Sequence, residues 1–279
     1  MAVIGYDHES SPAHPPASVT RVSVITLIVV YGNTLPKSSV SIVMAAAPCG
    51  RAALRGFCAM NGPLPFEFNR QRLLTDMGTL ILSRFLQTRP RALHVENVER
   101  DRYFQRRDVD LIWHRAIRGW ERTWVEIKCD AHAGDDEALI RSGTYPYYER
   151  RTGNFAVETV SNDVSGKPGW IFASEARMLL YYFVAVPCTP SEIEEWWTVG
   201  EEFLLLSLGI AGDRLYALDM VELRMWFAGV QDRYREVSAQ NEGYRTLSRL
   251  VPCGDVVRAI RHCHVIEDVY RSVVNSISA

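Results

Sequence analysis

Apolar positions along this chain change period several times, and each change marks an element. From Asn69 onward, Leu73, Met77, Leu80, Ile81 and Phe85 recur at the spacing of one helical face, which predicts an amphipathic helix of about five turns. The period then falls to two. Residues 94–99, 108–114 and 124–129 read as successive strands. Arg118-Gly119-Trp120-Glu121 makes a turn between the second and third, so these two form an antiparallel hairpin. Residues 131–151 are polar and carry Gly134, Gly143 and Pro146, the composition of a loop or a short helix between loops. A fourth strand is expected over 154–160, a glycine-containing loop over 161–169 and a short fifth strand over 170–172. Ser174 is placed to N-cap a helix running through Leu179, Leu180 and Phe183. Further on, 191–197, 221–228 and 255–274 read as helices and 214–219 as a strand. The pattern predicts an α/β (α+β) protein, a mixed central β-sheet flanked by helices.

The N-terminal stretch departs from this. Residues 1–20 are rich in Ser, Pro, Ala and His and are expected to be disordered. Residues 22–47 hold two apolar, β-branched runs around Gly32-Asn33-Thr34-Leu35-Pro36-Lys37. They suit a hairpin, or else translation starts at Met44 or Met60. The expected division is therefore a poorly defined extension over 1–60 and one domain over 61–279 with a C-terminal helical elaboration. The apolar run 22–31 is too short to span a bilayer. Asp7 and Glu9 precede it in place of a basic n-region, so no signal peptide is read and a cytoplasmic, membrane-free protein is expected.

Composition narrows the chemistry. Hydrophobic content of 47% and charged content of 23% are those of a globular domain. A net charge of −2 excludes a chain that is basic overall, so nucleic-acid binding would need a local basic patch. The six cysteines include no C-x-x-C pair and read as reduced thiols. His262-Cys263-His264 reads as the surface end of a helix, because adjacent helical residues point different ways.

The hairpin carries the candidate chemistry. Arg107-Asp108-Val109-Asp110-Leu111-Ile112-Trp113 is followed by Thr123-Trp124-Val125-Glu126-Ile127-Lys128-Cys129-Asp130. Alternation along a strand puts Glu126 and Lys128 on one face and Val125 and Ile127 on the other. An acid on one strand beside Glu-x-Lys on the next suits a divalent-metal site with a cation adjacent. Lysine usage sharpens this: of 31 Lys plus Arg, only Lys37, Lys128 and Lys167 are lysine. A lysine is a compact charge whose pKa burial can lower, suited to orienting or deprotonating a water.

These strings resemble the PD-(D/E)XK nuclease superfamily, over roughly residues 65–190, in the residues Asp110, Glu126 and Lys128. The order helix, strand, motif hairpin, strand, helix also resembles it. The proline that gives the motif its first letter is absent, and Val109 stands there. The resemblance implies a restriction-endonuclease-like fold and Mg²⁺ or Mn²⁺ held by Asp110, Glu126 and the Ile127 carbonyl. Lys128 would then orient the attacking water or stabilise the transition state. It implies DNA as partner and admits a homodimer. Asp108 is the rival of Asp110, and Asp76 and Glu158 are candidate additional acids. Arg107, Arg115, Arg118, Arg151 and Lys167 are the candidate phosphate contacts, with Tyr145, Tyr147 and Tyr148 as stacking rings. Two alternatives stay open: a nucleic-acid-binding relative of the same fold without catalysis, and an unrelated α+β interaction module in which Glu126 and Lys128 are a surface ion pair.

Overall fold

The computed structural model describes residues 66–279, except 118, 119, 211 and 242. Everything read above for residues 1–60, and Arg118 with Gly119 in the hairpin turn, lies outside the described residues.

Helix α1 (Phe66–Gln87) leads into the edge strand β1 (Ala92–Asn97), the short helix α2 (Arg102–Gln105) and the hairpin β2 (Leu111–Ala116) and β3 (Trp120–Asp130). A crossover holding α3 (Glu137–Ser142), β4 (Asn154–Asn162), β5 (Lys167–Pro168) and α4 (Trp170–Ala173) returns the chain to β6 (Met178–Val184), which runs parallel to β3. Helices α5 (Pro190–Val199) and α6 (Glu201–Ser207) follow, then β7 (Asp213–Asp219) and α7 (Met220–Val230). The chain ends with the hairpin β8 (Arg235–Asn241) and β9 (Tyr244–Pro252), helix α8 (Cys253–Ala259), strand β10 (Cys263–Glu267) and helix α9 (Val269–Ile277).

The central sheet has six strands in the order β1-β2-β3-β6-β7-β10, and only the β3–β6 pair is parallel. The mixed sheet and flanking helices are those the sequence pattern predicts. Four further strands form a second sheet in the order β5-β4-β9-β8. Burial separates the two faces of the central sheet by the period of the strands. Leu180, Tyr182 and Val184 of β6 join Val125 and Ile127 of β3 in a core with Leu74, Met77, Ile81 and Phe85 of α1. Leu179, Tyr181 and Phe183 join the opposite core, with Phe155 and Val157 of β4, Trp170 of α4 and Phe227 of α7. Among the described residues no helix is long and apolar enough to cross a membrane.

Several elements differ from the sequence expectation. Residues 170–172 form the helix α4 rather than a strand, and Ser174 is its C-cap rather than the N-cap of a following helix. Residues 178–184 are strand β6. Its positions are apolar almost without break because both faces are buried, and such a run has no period to separate strand from helix. The expected helix over 255–274 is interrupted by β10, which pairs with β7 and carries Cys263 and His264. The C-terminal part is therefore not a helical elaboration alone: it supplies β7 and β10 to the central sheet and β8 and β9 to the second. Finally, β2 starts at Leu111, so Asp108 and Asp110 precede the strand instead of lying within it.

Candidate functional site

The site arises where a ladder ends. β2 pairs with β3 from Ala116↔Trp120 to Leu111↔Val125, while β3 runs on to Asp130 against β6. Among the described residues, 126–130 of β3 thus keep a strand on one side only. Asp110 occupies the vacated side: its backbone N–H donates to the Val125 carbonyl at 2.9 Å, and its carboxylate accepts the Ile127 N–H at 2.6 Å. A residue's N–H and C=O point to the same side of a strand, so the Ile127 carbonyl faces this edge too.

Glu126 and Lys128 project from β3 on the face away from α1. Glu126 is 2% exposed, its Oε1 lies 2.5 Å from the Lys128 Nζ, and its Oε2 is buried without a hydrogen-bond partner among the described residues. The Lys128 ammonium lies 5.9 Å from the centre of the Trp170 ring. Glu158 comes from the second sheet to the same cleft, where its charge and that of Lys128 attract each other. Gly169 makes this approach possible, because a Cβ there would stand 2.2 Å from the Glu158 carbonyl oxygen. The cleft measures about 560 Å³ and is lined by Asp110, Ile127, Lys128 and Glu158 among others.

Electrostatics follow from burial. Loss of water raises the carboxyls of Asp110, Glu126 and Glu158, each against the pull of Lys128, and Glu126 is pushed up to about 8. Burial works to lower the Lys128 pKa, but Glu126, Asp110 and Glu158 outweigh it and raise it. The acids around Lys128 thus favour its ammonium form.

Crowded, buried carboxylates with one orphaned oxygen are short of positive charge, and a divalent cation would supply it. Asp110, Glu126 and the Ile127 carbonyl offer hard oxygen donors of the kind Mg²⁺ or Mn²⁺ takes. Among the described residues no group of three or more His, Cys, Asp and Glu is arranged to hold a metal ion. Any ion here would thus rest on two carboxylates and a carbonyl and complete its shell with water or substrate.

The other candidate residues fall into place unevenly. Asp108 has a positive φ of 48° in the turn before β2, and its carbonyl accepts the Ser174 hydroxyl at 2.8 Å. Its charge reaches Asp110, Glu126 and Glu158 without its side chain lining the cleft. Asp76 lies 3.8 Å from Arg72 and lines a separate cleft with Glu99. Of the candidate phosphate contacts among the described residues, none lines the cleft. Arg107 lies over the Tyr103 ring and pairs with Glu175 at 3.2 Å. Arg115 lies over Trp113 and pairs with Glu121 at 2.9 Å. Arg151 donates to the Ala133 carbonyl at 3.4 Å, and Lys167 is exposed on β5. Tyr147 and Tyr148 are buried in the two cores and show only an edge to the clefts they line, while Tyr145 is half-buried.

One set of residues was not anticipated. Asp130 is the next residue on the face of Glu126 and Lys128, and it accepts from the Tyr181 hydroxyl at 3.1 Å. His132 is clamped by Asp130 and Glu149, at 2.7 Å on each ring nitrogen, and Glu149 lies 2.5 Å from Arg70 of α1. The hydrogen bonds to Asp130 and Glu149 raise the His132 pKa to about 10, so its ring is an imidazolium at neutral pH. The period of β3 signals Asp130. Nothing in the sequence signals Arg70 and Glu149, which lie far apart in the chain.

Comparison with family models, with curated proteins and with solved structures found no match to this chain.

Proposed function

We propose that this cleft is the active site of a divalent-metal-dependent nuclease that hydrolyses DNA phosphodiester bonds, similar to PD-(D/E)XK enzymes. The observation that carries the reading is the buried, unpartnered Glu126 Oε2 beside Asp110 and the Lys128 ammonium. A bound Mg²⁺ or Mn²⁺ would polarise the scissile phosphate and lower the pKa of a coordinated water. Asp110 and Glu126 would hold that ion, and the Ile127 N–H fixes the Asp110 carboxylate in place. Lys128, kept protonated by its acids, would orient the attacking water and neutralise charge that builds on the phosphate. Glu158, on the same cleft, would help keep Lys128 charged.

The direct Lys128–Glu126 contact favours one rival, a structural ion pair in a binding or interaction module. Cleavage of supercoiled plasmid and single-stranded DNA with Mg²⁺ or Mn²⁺ separates the two. The nuclease reading expects metal-dependent cutting that falls at least a hundredfold in Glu126→Gln and in Lys128→Ala, on the scale of one lost transition-state contact. Wild-type protein that neither cuts nor binds metal would leave the rival.

A further inference from the structure

A second cleft of about 720 Å³ adjoins the first, and Arg70, His132 and Glu149 belong to the walls of both. These three side chains form the ridge common to the two. That ridge is pinned by the Arg70–Glu149 and His132–Glu149 contacts and by the Arg70 guanidinium donating to the Pro146 carbonyl. Beyond it, Ile140, Tyr145, Pro146 and Tyr148 make an apolar wall, and Thr144 and Thr152 bring hydroxyls.

We infer that this second cleft receives an unstacked nucleobase of the strand whose phosphate lies at Lys128, and that the substrate is single-stranded DNA. The inference rests on the nuclease reading of the first cleft. The chemistry of the two clefts differs in the way one nucleotide differs along its length. The first is charged, with Lys128 among carboxylates, and suits a phosphate with its counter-ion. The second is apolar with hydroxyls, and suits the flat face and polar edge of a base. Its Arg150 is turned to Glu137 at 2.5 Å. Phosphate and base lie on either side of a sugar, and Arg70, His132 and Glu149 border both clefts. A base inside a duplex has both faces stacked, so a ring-lined pocket selects one that is already free. Of the three tyrosines in this segment, Tyr147 and Tyr148 are committed to the cores and Tyr145 alone keeps partial exposure.

The test uses the full chain carrying Glu126→Gln, so that binding is read without cleavage. The probe is a short DNA oligonucleotide with one fluorescent adenine analogue, single-stranded or annealed to its complement. Binding should quench the analogue in the single strand. Tyr145→Ala should weaken single-strand affinity roughly tenfold, the scale of one base–aromatic stack. Tyr145→Phe should retain it, which separates loss of the ring from loss of fold. The duplex should bind at least tenfold more weakly. Equal affinity for duplex and single strand, or an unchanged affinity in a folded Tyr145→Ala protein, would overturn the inference. The two readings fail separately. Metal-dependent cutting with Tyr145 neutral in binding removes the base site and keeps the nuclease. Tyr145-dependent oligonucleotide binding without any cutting by wild-type protein removes the nuclease and keeps a single-strand site.

Discussion

Glu126 is a buried acid with a lysine on one oxygen and, among the described residues, no hydrogen-bond partner on the other. Its carboxyl is raised from 4.5 to about 8, first by burial, with Lys128 opposing. The sign of the consequence is fixed by linkage. The folded state holds the proton more tightly than the unfolded one, so the contribution to stability is complete below about 4.5 and is lost as pH rises through about 8. Metal-free wild-type protein should therefore lose stability relative to Glu126→Gln between pH 5 and 8, by an amount on the order of 1–3 kcal/mol in denaturant melts. Adding Mn²⁺ should restore the wild type above pH 7 and leave the variant unchanged. Parallel pH profiles for the two proteins would show that Glu126 is not the buried, proton-holding acid described here.

At the scale of elements, α1 and β3 meet at Gly78, where an added Cβ would stand 2.1 Å from the Cys129 sulfur. Alanine inside an exposed helix normally gains about 1 kcal/mol over glycine. Here overpacking should win, and Gly78→Ala should lose about 1–3 kcal/mol in denaturant melts. The double variant Gly78→Ala/Cys129→Ala should recover most of that loss, because the clash is with the sulfur atom. Loss that persists in the double variant would place the constraint in the helix backbone instead. The elements themselves were legible where one face is buried and the other wet. α1 shows its stripe through Leu73, Met77, Leu80, Ile81 and Phe85, and β3 shows alternation through Val125 and Ile127. They were illegible where both faces are buried, as in β6. They were also illegible where pairing with a distant strand decides the outcome, as in β10 on β7. The same holds for the site. Asp110, Glu126 and Lys128 sit in one hairpin and announce themselves, whereas the Asp130–His132–Glu149–Arg70 chain depends on α1 folding back over the crossover.

For the molecule as a whole, one sheet divides two cores, and strand β6 alternates its side chains between them. Asp213 of β7 adds a polar tie across the α1 side. It is 7% exposed, accepts the Tyr182 hydroxyl, and accepts the Tyr270 N–H of α9 at 2.8 Å. Neither core can come apart without stripping β6 and β7, so both should unfold together. Tryptophans report on each side: Trp113, Trp196 and Trp197 pack with the α1 core, Trp170 and Trp226 with the other. Urea melts followed by tryptophan fluorescence in wild type and in Trp170→Phe should share one midpoint with far-ultraviolet circular dichroism, after correction for any change in stability. Separated midpoints would mean that the second sheet and its helices are a unit of their own.

The strand end that makes the site has another consequence. A row of backbone groups left without a neighbouring strand is a template for any passing chain, and proteins guard such edges with charge. Over 126–130 of β3 the guards are the very residues assigned to the cleft. Asp110 caps the Ile127 N–H, and Glu126, Lys128 and Asp130 put an ionisable side chain at every second position. On the proposed nuclease reading, a relative that lost activity would thus not be free to let these positions drift toward apolar residues. A decayed descendant would have to keep the edge charged, or cover it, to stay out of aggregates.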